Sequence, residues 1–389
     1  MNNLHEGEIV FSFIEINIFI FVHVSYISKF TLMKSFPLFF VLILLNLFSC
    51  RQAVENYPAA FTQSDSLILT PLKNIKNELL AKPRNISLAD NYLILQDNTD
   101  GKCFAIFNIQ TGELIQRFGS HGHGPNEIMY PINQEISGNY FYFFDSGNKK
   151  LNIYSLDSLK KGSARYYTKS IPLEFNTTES ATFRQAVLLP NGQIIANCSH
   201  PEGKLVLTDT NGRELQAFYP DYPQDPDHKN ETYLSKSFAF QYNGIYDTSS
   251  NTLYNISTTT GHIEIFKVLQ NRIQRTHNRL FYLPKYKSEN NPQMYGVLFL
   301  KDNVPGLFNP ELGNNCFYAA YQNTPPQEHT YIIHDLLFCF DKQANPLKCY
   351  KLSRRISSFC IDKATNTIYA IGLNPQTLEP CILCGQLEE

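Results

Sequence analysis

Few residues in this 389-residue chain stand at spacings that chemistry requires. The most distinctive stretch is Gly119-Ser-His-Gly-His-Gly-Pro-Asn-Glu127. His121 and His123 are two apart, so in an extended segment both could face one ligand or metal, with Glu127 the nearest further donor. A catalytic metal ordinarily takes three protein ligands. The competing reading is structural: Gly119, Gly122 and Gly124 permit positive φ, Pro125 fixes the exit, and Glu127 accepts hydrogen bonds from exposed backbone N–H groups at a tight crossing between strands. The crossing is the favoured reading.

Other candidates are weaker. Asp221-Tyr-Pro-Gln-Asp-Pro-Asp-His228 offers three carboxylates to a hard cation such as calcium, yet lacks the glycine and regular spacing of a calcium loop and reads as a solvated loop. Cys381 and Cys384 have CxxC spacing but no second pair or nearby histidine. In a strand their side chains take opposite faces and pack as buried thiols. Cys339 and Cys349 flank a turn-like stretch, Asp341 to Pro346, and could face each other across a hairpin as a disulfide. No HExxH, GxSxG elbow, P-loop or dinucleotide fingerprint occurs. No catalytic constellation is legible, which tilts the reading away from an enzyme without closing that question.

The elements that must hold these residues follow from composition and pattern. Lys and Arg number 33 against 35 Asp and Glu, a net charge of −2 that argues against a nucleic-acid binder. Charged residues make up 17% of the chain and aromatics 13%, too apolar for disorder and long enough for a sizeable core. Short, mostly apolar runs recur from Leu67 onward, among them Tyr92–Leu95, Phe104–Phe107, Tyr140–Phe144, Gln193–Ala196 and Lys204–Leu207. Gly, Asn, Asp or Pro bounds each run, the signature of strands and turns.

Internal repetition sharpens the architecture. Asp247 to Ser257 and Asp362 to Gly372 share the frame Asp-x3-Asn-Thr-aliphatic-Tyr-x-Ile, and Ile109 to Phe118 resembles Thr208 to Phe218. Both separations are near twice a blade of about 50–57 residues, which suits four-stranded propeller blades. The blades fall near 83–128, 129–176, 181–223, 236–285, 294–352 and 353–389. The last has room for three strands, and the isolated run Ser66–Thr70 supplies the fourth and closes the ring. The expected fold is thus all-β, a six-bladed β-propeller over 64–389 whose N-terminal strand closes the last blade. Aromatics between 285 and 330 either pack between blades or decorate an insertion loop on one face.

The N-terminus reads as an address. Lys34, an apolar run from Phe36 to Phe48, then Ser49-Cys50 describe a secretory leader too short for a membrane span. Leu47-Phe48-Ser49-Cys50 resembles a bacterial lipobox, which implies acylation of Cys50. Residues 1–32 read as an extension from an upstream mis-start, 33–49 as the lipoprotein signal peptide and 50–63 as a linker. No acidic cluster follows Cys50, so the outer membrane's periplasmic side is the expected location.

Taken with that lipobox, the Gly119–Glu127 segment after Gln116-Arg117-Phe118 resembles the Gly-x-x-Gly-x-Gly-Pro-x-Glu element of the TolB-like six-bladed propeller lipoproteins of Bacteroides-type bacteria. The resemblance implies a fold and an address rather than a reaction. The expected function is a binding or scaffolding module for an envelope protein, peptide or glycan, held by a lipid anchor, without nucleic acid and without a required cofactor. The alternative is a propeller hydrolase or lyase with a calcium-dependent site in the central channel.

Overall fold

The computed structural model describes residues 57–76, 79–177, 181–291, 294–323 and 333–388. The chain divides after residue 53, and every described residue belongs to the part 54–389. Cys50, the leader 33–49 and the extension 1–32 lie outside the described residues. Among the described residues, no helix is long and apolar enough to cross a membrane.

Two short strands open the domain, β1 (Ser64–Leu67) and β2 (Thr70–Pro71). Six antiparallel sheets follow. Blade 1 is β3 (Pro83–Ala89), β4 (Tyr92–Thr99), β5 (Lys102–Asn108) and β6 (Leu114–Ser120). Blade 2 is β7 (Pro131–Ser137), β8 (Tyr140–Asp145), β9 (Lys150–Ser155) and β10 (Tyr167–Pro172), with the short helix α1 (Leu156–Lys160) after β9. Blade 3 is β11 (Thr182–Leu188), β12 (Ile194–Ser199), β13 (Leu205–Thr208) and β14 (Glu214–Phe218). The helix α2 (Tyr233–Ala239) leads into blade 4: β15 (Tyr242–Asp247), β16 (Thr252–Ser257), β17 (Gly261–Leu269) and β18 (Arg272–Tyr282). A separate hairpin, β19 (Tyr286–Asn291) and β20 (Met294–Phe299), is inserted before blade 5. Blade 5 is β21 (Phe308–Leu312), β22 (Cys316–Tyr321), β23 (His334–Asp341) and β24 (Pro346–Ile356), and blade 6 is β25 (Ser358–Asp362), β26 (Thr367–Leu373) and β27 (Pro380–Gln386).

The first strand of each blade packs against the first strand of the next, and β25 of blade 6 meets β3 of blade 1, so the ring is closed. Blades lie face to face, which covers both faces of their middle strands. Hence Leu93, Ile94 and Leu95 of β4, and Phe141, Phe143 and Phe144 of β8, are all fully buried, and these strands read as continuous apolar runs rather than alternating ones. Phe104, Phe118, Phe141, Phe143 and Tyr154 fill the junction of blades 1 and 2, with the rings of Phe104 and Phe143 4.8 Å apart.

The expected closing strand is divided between two blades. Thr70 and Pro71 pair antiparallel with Cys384 and Leu383, and so complete blade 6 as its fourth strand. Ser64 to Leu67 instead pair in parallel with Cys349 to Leu352, and make a fifth, outer strand of blade 5. Leu67 and Leu69 bury their side chains between the two blades. The packed chain also starts earlier than residue 64. Tyr57 is enclosed by Phe281, Tyr282, Tyr321, Phe338 and Phe340, and Phe61 stacks on Phe338 at 4.5 Å, so 57–63 is a docked strap rather than free linker.

The two sequence repeats occupy equivalent turns. Asp247 and Asp362 end the first strands of blades 4 and 6, accept from Ser249 N (3.0 Å) and Ala364 N (3.0 Å), and precede Asn251 and Asn366, which both take positive φ. Gly112 and Gly212 make the outer turns of blades 1 and 3. A Cβ on either would lie 1.8 Å from Asn74 O or 1.9 Å from Pro172 O, so the neighbouring backbone leaves room only for glycine. All eight cysteines between Cys103 and Cys384 are free thiols. Cys339 pairs with Lys348 rather than Cys349, and the two thiols are buried on opposite faces of blade 5, so the disulfide considered from sequence does not form.

Candidate functional site

The first strand of each blade lines the central channel, and there the sheet pattern breaks. In β7 the pairing slips between Ile132 and Glu135, and in β21 it slips between Phe308 and Glu311. Each slip is a bulge made by an Asn with positive φ, +49° at Asn133 and +48° at Asn309. Asn tolerates the left-handed region better than most residues. A bulge re-aims the residues around it, and in both strands an Asn-x-Glu unit turns into the channel. Glu135 then stands opposite Tyr142 in the ladder, and Glu311 opposite Tyr318.

The channel has two lobes, of about 190 and 270 Å³. Gln134, Glu135, Ile245 and Glu311 border both lobes, which places the two carboxylates where the lobes meet. One lobe is rich in amides, including Asn85, Asn133, Gln185, Asn243 and Asn309. Lys363 borders the other.

Several of these polar groups hold the ring together. Gln134 Nε2 donates to Ile94 O at 3.0 Å and joins blades 1 and 2. Gln185 Nε2 donates to Gly244 O at 2.7 Å and joins blades 3 and 4, and Asn309 Nδ2 donates to Ser357 O at 2.8 Å at the entry to blade 6. Others are uncommitted: the side chains of Asn133, Asn243 and Glu311 have no hydrogen-bond partner among the described residues.

Tyr142 Oη donates to Glu135 Oε2 at 2.6 Å. Burial raises the Glu135 carboxyl to about 7, against the lowering effect of that hydrogen bond. Burial also raises Glu311 well above the usual carboxylate range, and the charge of Glu135 adds to the rise, while Lys363 opposes it. In this amide-lined channel Glu135 can pass between acid and anion near neutral pH, while its charge helps to keep Glu311 protonated as a hydrogen-bond donor.

The residues singled out from sequence lie elsewhere. Gly119–Glu127 is the crossing from blade 1 to blade 2. His121 forms a bridge with Ile128, and Glu127 Oε2 accepts from Gly124 N at 2.8 Å. A Cβ on Gly122 would lie 2.1 Å from that same oxygen, so the loop is folded tightly around the Glu127 side chain, with His121 and His123 exposed outside it. In the 221–228 loop the carboxylates are divided: Asp221 pairs with Arg275 at 2.8 Å and Asp225 with His228 at 2.9 Å. Among the described residues no three His, Cys, Asp or Glu side chains are grouped to hold a metal ion. Cys381 is buried between blades 5 and 6, whereas Cys384 is half-buried beside Thr70. Tyr286, Phe317, Tyr318 and Tyr321 are buried as packing residues.

Glu135 and Glu311 were not singled out from sequence. A signal exists in the repeated pattern apolar-Asn-x-Glu-apolar at Ile132–Ile136 and Phe308–Leu312, three blades apart.

The sequence profile described as TolB-like 6-blade propeller-like matches residues 61–364. Among solved structures, the chain is similar to a member of the DUF4221 family from Bacteroides vulgatus, at 11% identity and a TM-score of 0.51, over 82% of this chain and 96% of that one. It is also similar to a protein assigned as exported from Bacteroides fragilis, at 13% identity and a TM-score of 0.49, over 84% of this chain and 99% of that one. No curated protein matches its sequence.

Proposed function

The chain belongs to the TolB-like six-bladed propeller family, and from that premise we propose that it is a cell-envelope binding module, anchored through an acylated Cys50, that takes a polar ligand at the mouth of its central channel. The ligand is a glycan, a peptide or a loop of an envelope protein. The observation that carries this reading is the channel wall, where Asn133, Asn243 and Glu311 from three different blades present polar side chains without partners. A rigid ring with uncommitted donors and acceptors aimed at one space is suited to binding, because its groups need no reordering when a ligand arrives. The lipobox and leader support the address, on the periplasmic side of the outer membrane.

Two measurements test the reading. Glycan and peptide arrays probed with the full chain should give hits that N133A/N243A/E311Q loses while keeping the wild-type unfolding midpoint; equal binding by the variant excludes the channel. Cells fed a labelled fatty acid should label the wild type and not C50A, and label on both excludes the anchor.

A further inference from the structure

A second pocket lies away from the channel, under two segments that interrupt the four-strand pattern. The connection from β14 to β15 carries α2, and the β19–β20 hairpin packs against that helix. Between them is a cavity of about 370 Å³, within the size range of small-molecule sites. Phe240 and Tyr286 form its buried floor, Tyr222 gives the open aromatic surface, and Lys229 and Lys236 supply its cations. Neither ammonium meets a carboxylate among the described residues.

The pocket is built rather than incidental. The His228 ring stacks on Tyr286 with centroids 3.9 Å apart, and both its nitrogens are held, Nδ1 2.9 Å from Asp225 Oδ2 and Nε2 3.1 Å from Tyr286 O. The start of the loop is fixed to the propeller: Arg275 pairs with Asp221, and buried Lys204 donates to Asp221 O at 2.7 Å beneath the Tyr222 ring.

We propose that this pocket binds an acidic sugar, a hexuronate or the uronate unit of a glycan. The carboxylate meets Lys229 and Lys236, whose charge nothing else in the pocket neutralises because His228 already engages Asp225. The C–H face of the pyranose lies against Tyr222 and the flanking prolines, and the hydroxyls reach Gln224. Phosphate is a poorer fit, since no arginine fork lines the cavity. The proposal is independent of the channel reading.

The test is calorimetry of the full chain with galacturonate, glucuronate, their neutral parents galactose and glucose, and inorganic phosphate. A uronate should bind at least tenfold more tightly than its neutral parent, and K229M and K236M should each weaken it by fivefold or more at an unchanged unfolding midpoint. K73M, which removes a positive charge from an exposed turn ahead of blade 1, should leave that affinity unchanged. Equal affinity for the neutral sugars, tighter binding of phosphate, indifference to both lysine substitutions, or no uronate binding overturns the assignment.

Discussion

Glu135 and Glu311 enter the central channel from blades 2 and 5, which stand opposite each other in the ring, and each arrives through the same Asn-x-Glu bulge. Their surroundings differ. Glu135 is held by Tyr142, whereas Tyr318, the equivalent residue of blade 5, lies beside Cys316 and leaves Glu311 without a hydrogen bond among the described residues. The channel therefore carries one tethered and one free carboxyl group.

That relationship predicts a pH signature. The folded protein holds the Glu135 proton up to about pH 7, whereas the unfolded chain releases it near 4.5. Between those values the native state binds the extra proton, so this group's contribution to stability is complete below pH 4.5 and is lost as pH rises to 7. E135Q keeps a neutral side chain at every pH. The stability difference between E135Q and wild type should shift in favour of the variant by about 2–3 kcal/mol across that window, read from urea midpoints. A difference that does not vary with pH removes the perturbed carboxyl from the account.

The strap predicts a cooperative loss. β1 bonds to blade 5 and β2 to blade 6, with Leu67 and Leu69 buried between them. L69A should cost about 2–5 kcal/mol, the range for a buried leucine truncated to alanine. Deleting 64–72 should abolish the cooperative transition of the whole domain, because it frees the edge of blade 6 and opens the ring. A truncated protein that keeps its thermal midpoint refutes ring closure by this segment.

Much of the ring was legible because blade strands carry local signals. Continuous apolar runs marked the buried middle strands, and the Asp-x3-Asn-Thr frame marked one turn type in blades 4 and 6. The strap was legible only in part: Ser66–Thr70 announced a strand, but its division between two blades depends on partners 285 or so residues away, such as Ser353, which bonds Leu69 N. Of the β19–β20 hairpin only β20 fell within the expected blade 5, and the insertion was legible only as an aromatic-rich stretch, because its residues have ordinary strand composition. The Glu135–Glu311 pairing was not legible, since convergence is made by closing a ring and leaves only a weak repeated pattern in the chain.

Cysteine reactivity distinguishes the thiols. Cys316 is half-buried, and the neighbouring Cys339 and Tyr318 groups lower its thiol below the ordinary range. Burial instead raises Cys103 to about 12 and also raises Cys198 and Cys360. Because the thiolate is the nucleophile, iodoacetamide should label Cys316 at a lower pH than an ordinary thiol and leave Cys103, Cys198 and Cys360 untouched in the native state. Peptide mapping reads both, and native labelling of Cys360 ahead of Cys316 contradicts the packing of blade 6 against blade 1.

The ion cluster between blades 3 and 4 makes the last prediction. Lys204 Nζ lies 2.9 Å from Glu264 Oε2 and faces the rings of Tyr222 and Tyr242 at 5.1 and 5.5 Å. Glu264 is fully buried and also meets Arg275 at 2.9 Å, which in turn holds Asp221. Removing one charge strands its partner in a low-dielectric interior, so K204M should cost about 3–5 kcal/mol. Replacing both partners removes the stranded charge along with the pair, so K204M/E264M should be less destabilised than the sum of the two single variants by 1 kcal/mol or more. The same substitution loosens Asp221 and Tyr222, and should therefore weaken uronate binding in the pocket above them as well. Additive costs in the double variant would mean that Lys204 and Glu264 act separately, and that the loop is held by Arg275 alone.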